Sequence, residues 1–187
     1  MYVTDGYGNC RVHRFNAEGN LIQSWSELGS GPGQFNVPHG VFLDAMGRVF
    51  VADRENNRIQ LFTRDGAFIE QWTDMVRPTN VYIDVDDNVF VAEEGNQAGL
   101  FPWMTPAKGT GAIGGRVSVF DRAGTLLSRW GGGKEPCSPV DFFAPHDIWL
   151  DSHGSIYVGE VTWAAGGNAG VVPKDCPCLR KFERVHI

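Results

Sequence analysis

One phrase, an apolar residue followed by Val, a variable residue and an acid, occurs four times: Tyr2-Val3-Thr4-Asp5, Phe50-Val51-Ala52-Asp53, Phe90-Val91-Ala92-Glu93 and Tyr157-Val158-Gly159-Glu160. Repetition at intervals of tens of residues constrains a fold more than any local propensity, because each copy must be one supersecondary unit packed against its neighbours. Each phrase is followed by a second strand-like run ending in Phe, at Arg11–Phe15, Arg58–Phe62, Arg116–Phe120 and Leu179–Phe182. Gly-bearing turns at 17–20, 64–66 and 122–124 have hairpin chemistry, and the strands they open close on Trp25, Trp72 and Trp130. Runs at Gly40–Asp44, Asn80–Asp84 and Asp147–Asp151 supply a strand before each phrase. One repeat is therefore four strands, and the expected fold class is all-β: a β-propeller of four-stranded blades.

The units read as about 1–34, 35–75, 76–143 and 144–187, within a single propeller segment. The third unit carries an insertion at Glu94–Gly115 between its second and third strands. The first unit lacks its innermost strand and the last its outermost, which leaves 14 strands, or about 3.5 blades. The expectation is a part of a longer ring, favoured by a strand that starts at Met1, or a short chain completed by self-association.

A net charge of −6 and a pI near 5.3, without a Lys/Arg cluster, argue against nucleic acid as the main partner. Apolar runs such as Val49–Ala52 are too short for membrane insertion, and the N-terminus has no charged-then-apolar signal pattern. Cysteines at 10, 137, 176 and 178 form no Cys-x-x-Cys pair, so they leave the redox compartment open and read as incidental thiols, the alternative being that Cys176 and Cys178 touch a metal or pair with another cysteine.

Strands alternate direction within a blade, so the loops entering the first strand and joining the second to the third share a face. That face collects Asp5-Gly6-Tyr7, Val37-Pro38-His39, Asp53-Arg54-Glu55, the insertion, Ala144-Pro145-His146-Asp147 and the loop from 160 to 178. Binding groups on loops carried by a rigid scaffold are the common arrangement. His39 and His146 hold the same register, after Pro at the start of the innermost strand, and Thr79 stands between them. Histidines in alternate blades of a six-bladed ring are related by a threefold operation, the geometry of three imidazoles converging on zinc. The plainer explanation is that Pro-His opens a strand for packing reasons. Tyr7 and Arg54 lie on equivalent loops of adjacent blades, and a tyrosine serves as a general base only where cationic charge, here Arg54 and zinc, favours its phenolate. Taken singly they would read as a surface aromatic and a structural arginine. The strand-closing Phe and Trp residues recur with the blade and belong to packing.

The phrases Asp5-Gly6-Tyr7-Gly8-Asn9-Cys10-Arg11, Phe35-Asn36-Val37-Pro38-His39, Ala52-Asp53-Arg54-Glu55-Asn56-Asn57-Arg58-Ile59-Gln60 and Pro145-His146-Asp147-Ile148 resemble, in the same order, the NHL-repeat propeller of peptidyl-α-hydroxyglycine α-amidating lyase and its bacterial relatives. The resemblance implies six blades, a catalytic zinc ion held by three histidines, a structural calcium ion, and cleavage of a small peptide or amide-type substrate, a peptidyl hydroxyglycine, to an amide and glyoxylate. It implies zinc ligation by His39 and His146, catalysis by Tyr7 and Arg54, and calcium ligation by Asp147; the third histidine would lie before Met1, leaving this segment inactive alone. A secreted or periplasmic location is implied by resemblance only. Two other readings stand beside it: a non-catalytic interaction scaffold, and a calcium-dependent lactone hydrolase, against which the axial histidines count.

Overall fold

In the computed structural model, residues 1–97 and 111–183 are described. The inserted segment expected at 94–115 thus falls in part outside the described residues. Among the described residues fourteen strands form four antiparallel sheets, each a meander in chain order. The first contains β1 (Tyr2–Asp5), β2 (Arg11–Phe15) and β3 (Leu21–Trp25). The second contains β4 (Pro38–Leu43), β5 (Val49–Asp53), β6 (Arg58–Phe62) and β7 (Phe68–Trp72). The third runs through β8 (Pro78–Ile83), β9 (Val89–Glu93), β10 (Arg116–Phe120) and β11 (Leu126–Gly131). The fourth has β12 (Pro145–Leu150), β13 (Ile156–Glu160) and β14 (Leu179–Phe182). The architecture is the all-β propeller that the repeats require.

The innermost strands begin two residues earlier than their sequence pattern indicates, at a proline in each case. Proline has no N–H to give to a ladder and is tolerated at a strand's first position. Immediately after it the pairing slips, between Pro38 and Val41, Pro78 and Asn80, and Pro145 and Asp147. Such irregularities re-aim side chains. Here they release His39, Thr79 and His146 from regular alternation at the mouth of the propeller.

In three of the four recurring phrases the acid is a buried peg, while Asp5 of the first stays part-exposed beside Asn9 and His13. Asp53 accepts Arg58 Nε at 2.7 Å and the backbone N–H of Asn36 at 2.7 Å; Glu93 accepts Arg116 Nε at 2.8 Å and Val76 N–H at 2.6 Å; Glu160 accepts Arg180 Nε at 2.6 Å and Phe143 N–H at 2.6 Å. Burial pushes these three carboxyls upward, and the guanidinium and N–H donors pull against it. Arg58 also donates to the carbonyls of Ser30, Gly31 and Gln34, and Arg180 to those of Pro136 and Ser138. Each peg thereby fixes the loop that arrives from the preceding sheet, and with it the backbone just before the proline.

Between sheets the core is apolar: Phe50, Ile59, Leu61, Val81, Val91 and Phe120 pack together across the second and third. The closing tryptophan of one sheet is covered by the hairpin turn of the next. A Cβ on Gly66 would stand 2.8 Å from the Trp25 ring and one on Gly124 2.6 Å from that of Trp72, both at positive φ, so glycine is required there by space and by backbone conformation.

The cysteines depart from the expectation of incidental thiols. Cys137 and Cys176, 39 residues apart, are joined in a disulfide, which ties the loop before β12 to the loop after β13 over a small core of Phe143, Ala144, Ala165 and Val172. Sequence spacing conceals such a pair because its closeness arises only when the fourth sheet forms. Cys10 and Cys178 are free.

Candidate functional site

His39 and His146 meet across the axis with ring centroids 4.5 Å apart and planes at 84°. Thr79, in the same register between them, supplies a backbone carbonyl 2.8 Å from His39 Nδ1. A carbonyl can only accept, so Nδ1 carries the proton and Nε2 presents a lone pair. Burial first, then the charge of Arg54 and the neighbouring imidazole, lower the pKa of His39 to about 4. Burial and Arg54 lower that of His146 as well. Both rings are therefore neutral near pH 7, as ligation requires.

Tyr7 and Arg54 complete the cluster. Tyr7 Oη lies 3.3 Å from His39 Nε2, and Arg54 Nη1 donates to the same oxygen at 2.9 Å. The guanidinium sits 5.3 Å from the centre of the tyrosine ring, within cation–π range. Arg54 opens a single 3-10 turn, Arg54–Asn56, and its backbone N–H is held by Val37 O at 3.2 Å. It is 7% exposed whereas Tyr7 is 76% exposed, so a fixed cation supports a phenol open to the mouth. The four residues picked out by register and loop position are thus brought together.

Asp147 stands apart from that cluster, one residue further along the axis. Its Oδ1 accepts the Asn80 side-chain amide and the Ile148 N–H. Asn80 Oδ1 in turn accepts Val81 N–H at 2.9 Å. The second-sheet counterpart is Gly40, where a Cβ would come within 2.4 Å of Asn80 Oδ1. Further along the same strands Phe42, Tyr82 and Trp149 form an aromatic tier, with centroids 5.3 and 4.8 Å apart.

Sequence reasoning missed Glu55, Arg77 and Glu94 as members of the site. Arg77 pairs with Glu55 (Nη2 to Oε1, 2.6 Å) and with Glu94 (Nη1 to Oε2, 2.8 Å), and Glu55 Oε1 also accepts Arg54 Nε at 2.9 Å. The signal was in the register. Before the three prolines stand Val37, Arg77 and Ala144, and a long cation where its counterparts are apolar marks a special position.

The donor set fits zinc in part. Two neutral imidazoles, one oriented by a backbone carbonyl as metal-bound histidines usually are, form a competent half-site. Among the described residues no group of three or more His, Cys, Asp or Glu side chains is placed to hold a metal ion.

A cleft of about 730 Å³ opens on the other face, between the third and fourth sheets beside Trp130 and Phe182. It occupies the position where, elsewhere in the chain, a turn glycine covers Trp25 or Trp72. It is a packing slot of the repeat, remote from the histidines.

Residues 35–62 match the NHL repeat. That stretch carries Val37, His39, Arg54 and the Asp53–Arg58 peg, so the NHL unit contains half of the cluster. Among curated proteins, the mouse NHL repeat-containing protein 3 is 35% identical over 171 residues, covering 86% of this chain and 44% of its own length. Mouse peptidyl-glycine alpha-amidating monooxygenase is 32% identical over 169 residues, 86% of this chain and 16% of its own. A probable peptidyl-alpha-hydroxyglycine alpha-amidating lyase of Caenorhabditis elegans is 45% identical over 67 residues, 34% of this chain and 19% of its own. The chain thus spans less than half the length of these relatives. Among solved structures, virginiamycin B lyase of Staphylococcus aureus superposes with a TM-score of 0.57 at 13% identity, over 97% of this chain and 51% of that one; this likeness concerns the fold.

Proposed function

We propose that the chain forms part of a zinc-dependent lyase of the amidating type, acting on a peptidyl α-hydroxyglycine or a related carbinolamide. The observation that carries the reading is the contact chain Arg54–Tyr7–His39–His146, in which each member is within hydrogen-bond or ring-contact distance of the next. Similarity to the amidating proteins named above supports it. His39 and His146 would hold zinc, with a third ligand from outside this chain, and Asp147 would give a carboxylate to a structural calcium ion. Zinc, when bound, would supply Lewis-acid polarisation of the substrate hydroxyl. Tyr7, exposed at the mouth, would take the hydroxyl proton, and Arg54 would donate to the oxygen that gains charge. The C–N bond then breaks, its electrons and a proton go to the amide nitrogen, and glyoxylate leaves. The Cys137–Cys176 disulfide supports a location in an oxidising compartment.

The test uses the full-length protein. Zinc content by mass spectrometry should be stoichiometric in the parent and lost in a His39→Ala/His146→Ala variant. Tyr7→Phe and Arg54→Ala should each lower kcat/KM for glyoxylate release by about 100-fold or more. A zinc-loaded protein that releases no glyoxylate from any hydroxyglycine peptide would remove the lyase reading. The similarity to NHL repeat-containing protein 3 over most of the chain then favours a non-catalytic scaffold, whose partner binding should survive alanine at His39, Tyr7 and Arg54.

A further inference from the structure

We propose that Arg77 is a positioning residue of this site: with Glu55 and Glu94 it forms a largely buried clamp that holds the Arg54 guanidinium in the orientation that meets Tyr7. The catalytic consequence rests on the lyase reading; the clamp itself does not.

The geometry is that of a four-membered charge cluster. Arg77 grips Glu55 through Nη2 to Oε1 at 2.6 Å and Nε to Oε2 at 3.2 Å, a two-bond fork, and reaches Glu94 through Nη1 at 2.8 Å. Glu55 Oε1 is shared with Arg54 Nε at 2.9 Å. A fork bound on both oxygens fixes the carboxylate plane, and a carboxylate fixed in that way sets the rotation of the one guanidinium edge it still touches. Arg54 Nη1 is left pointing at Tyr7 Oη. Arg54, Arg77 and Glu94 are 7, 6 and 2% exposed and the Glu55 side chain 30%, so two buried cations face one buried carboxylate and one at the edge of solvent, and removing a buried member leaves an uncompensated charge.

The backbone ties the same two loops together. Like its second-sheet counterpart Val37 at φ 59°, Arg77 is left-handed, with φ of 51°. Its N–H is held there by Asn57 Oδ1 at 2.8 Å, and Asn57 is itself left-handed at φ 55°. Asn57 immediately follows the turn that carries Arg54 and Glu55. The residue that enters the third sheet is thus tied by backbone and side chain to the loop of the second that carries Arg54. The matching positions, Val37 and Ala144, have side chains incapable of such a grip.

The experiment is nitrogen-15 NMR of arginine Nε–H groups in the full-length protein, with the Arg54 signal assigned by its loss in Arg54→Lys. In the parent this proton should exchange slowly. In Arg77→Met its exchange should quicken on the order of tenfold or more, the loss of one buried charge-assisted bond, and Arg77→Lys should restore part of the protection. If Arg77→Met does not fold, Arg77→Met/Glu94→Gln removes one charge of each sign and serves in its place. Unchanged Arg54 protection in a folded variant overturns the proposal. Steady-state glyoxylate release supplies the second readout: kcat should fall about tenfold with KM within about twofold, since Arg54 acts on charge that appears in the transition state. A parent without lyase activity defeats the proposed reaction, while the Arg54 exchange rate still decides the clamp.

Discussion

At the scale of single residues, His39 has its proton placed by the chain itself, on Nδ1 against the Thr79 carbonyl. The same burial makes it a source of acid sensitivity. The folded ring holds a proton only below about pH 4, against the 6.5 of an ordinary imidazole. Between those values the unfolded chain binds more protons, so the unfolding free energy should decline as pH falls from about 6.5 toward 4 and be fully retained above that window. Urea midpoints of the metal-free chain at pH 7, 5.5 and 4.5 check this, and His39→Gln should lose part of the slope. His39, His146, Tyr7 and Arg54 were legible in sequence because they share loop register. Arg77 was overlooked because its role depends on carboxylates brought in from two sheets, which a linear pattern does not display. Asp147 was singled out as a calcium ligand only through resemblance, and its observed partner is the Asn80 amide.

At the scale of elements, the acid–arginine pegs organise the blades. Arg116→Met would leave Glu93 buried at 0% exposure with only Ser118, Val76 and a distant Arg129 as partners. Such an uncompensated charge should cost about 3–5 kcal/mol, measured by denaturant unfolding, and Arg116→Met/Glu93→Gln should recover part of the loss. Reduction of Cys137–Cys176 opens a loop of 39 residues that contains β12 and β13. Chain entropy puts its worth at about 4 kcal/mol, so thermal unfolding with and without reductant should differ while zinc-free spectra stay alike. Strand identity was legible from the fourfold phrase and the closing Phe and Trp residues. The start of the inner strands was not, since a proline followed by a slipped ladder resembles a loop in sequence; nor was the disulfide, whose partners meet only across two loops.

At the scale of the whole molecule, the sheets contact chiefly their neighbours around the axis, and stability should distribute as in other repeat arrays, unit by unit and interface by interface. The described chain brings one tyrosine, one arginine and two imidazoles to a common mouth, so its relatives' greater length bears directly on whether a third ligand completes the set. The all-β propeller could be read from internal repetition alone, whereas the number of blades in a whole ring could not, because a repeat encodes its neighbour contact and not the closure. The pegs carry a last implication, for inheritance. Arg58 belongs to one repeat yet clasps the loop delivered by the repeat before it, and Arg180 does the same for its predecessor. A gene of this kind can gain or shed whole units only at cuts that keep each arginine in frame with the loop upstream of its own blade; a duplication that divides that pair yields a clasp with nothing to hold.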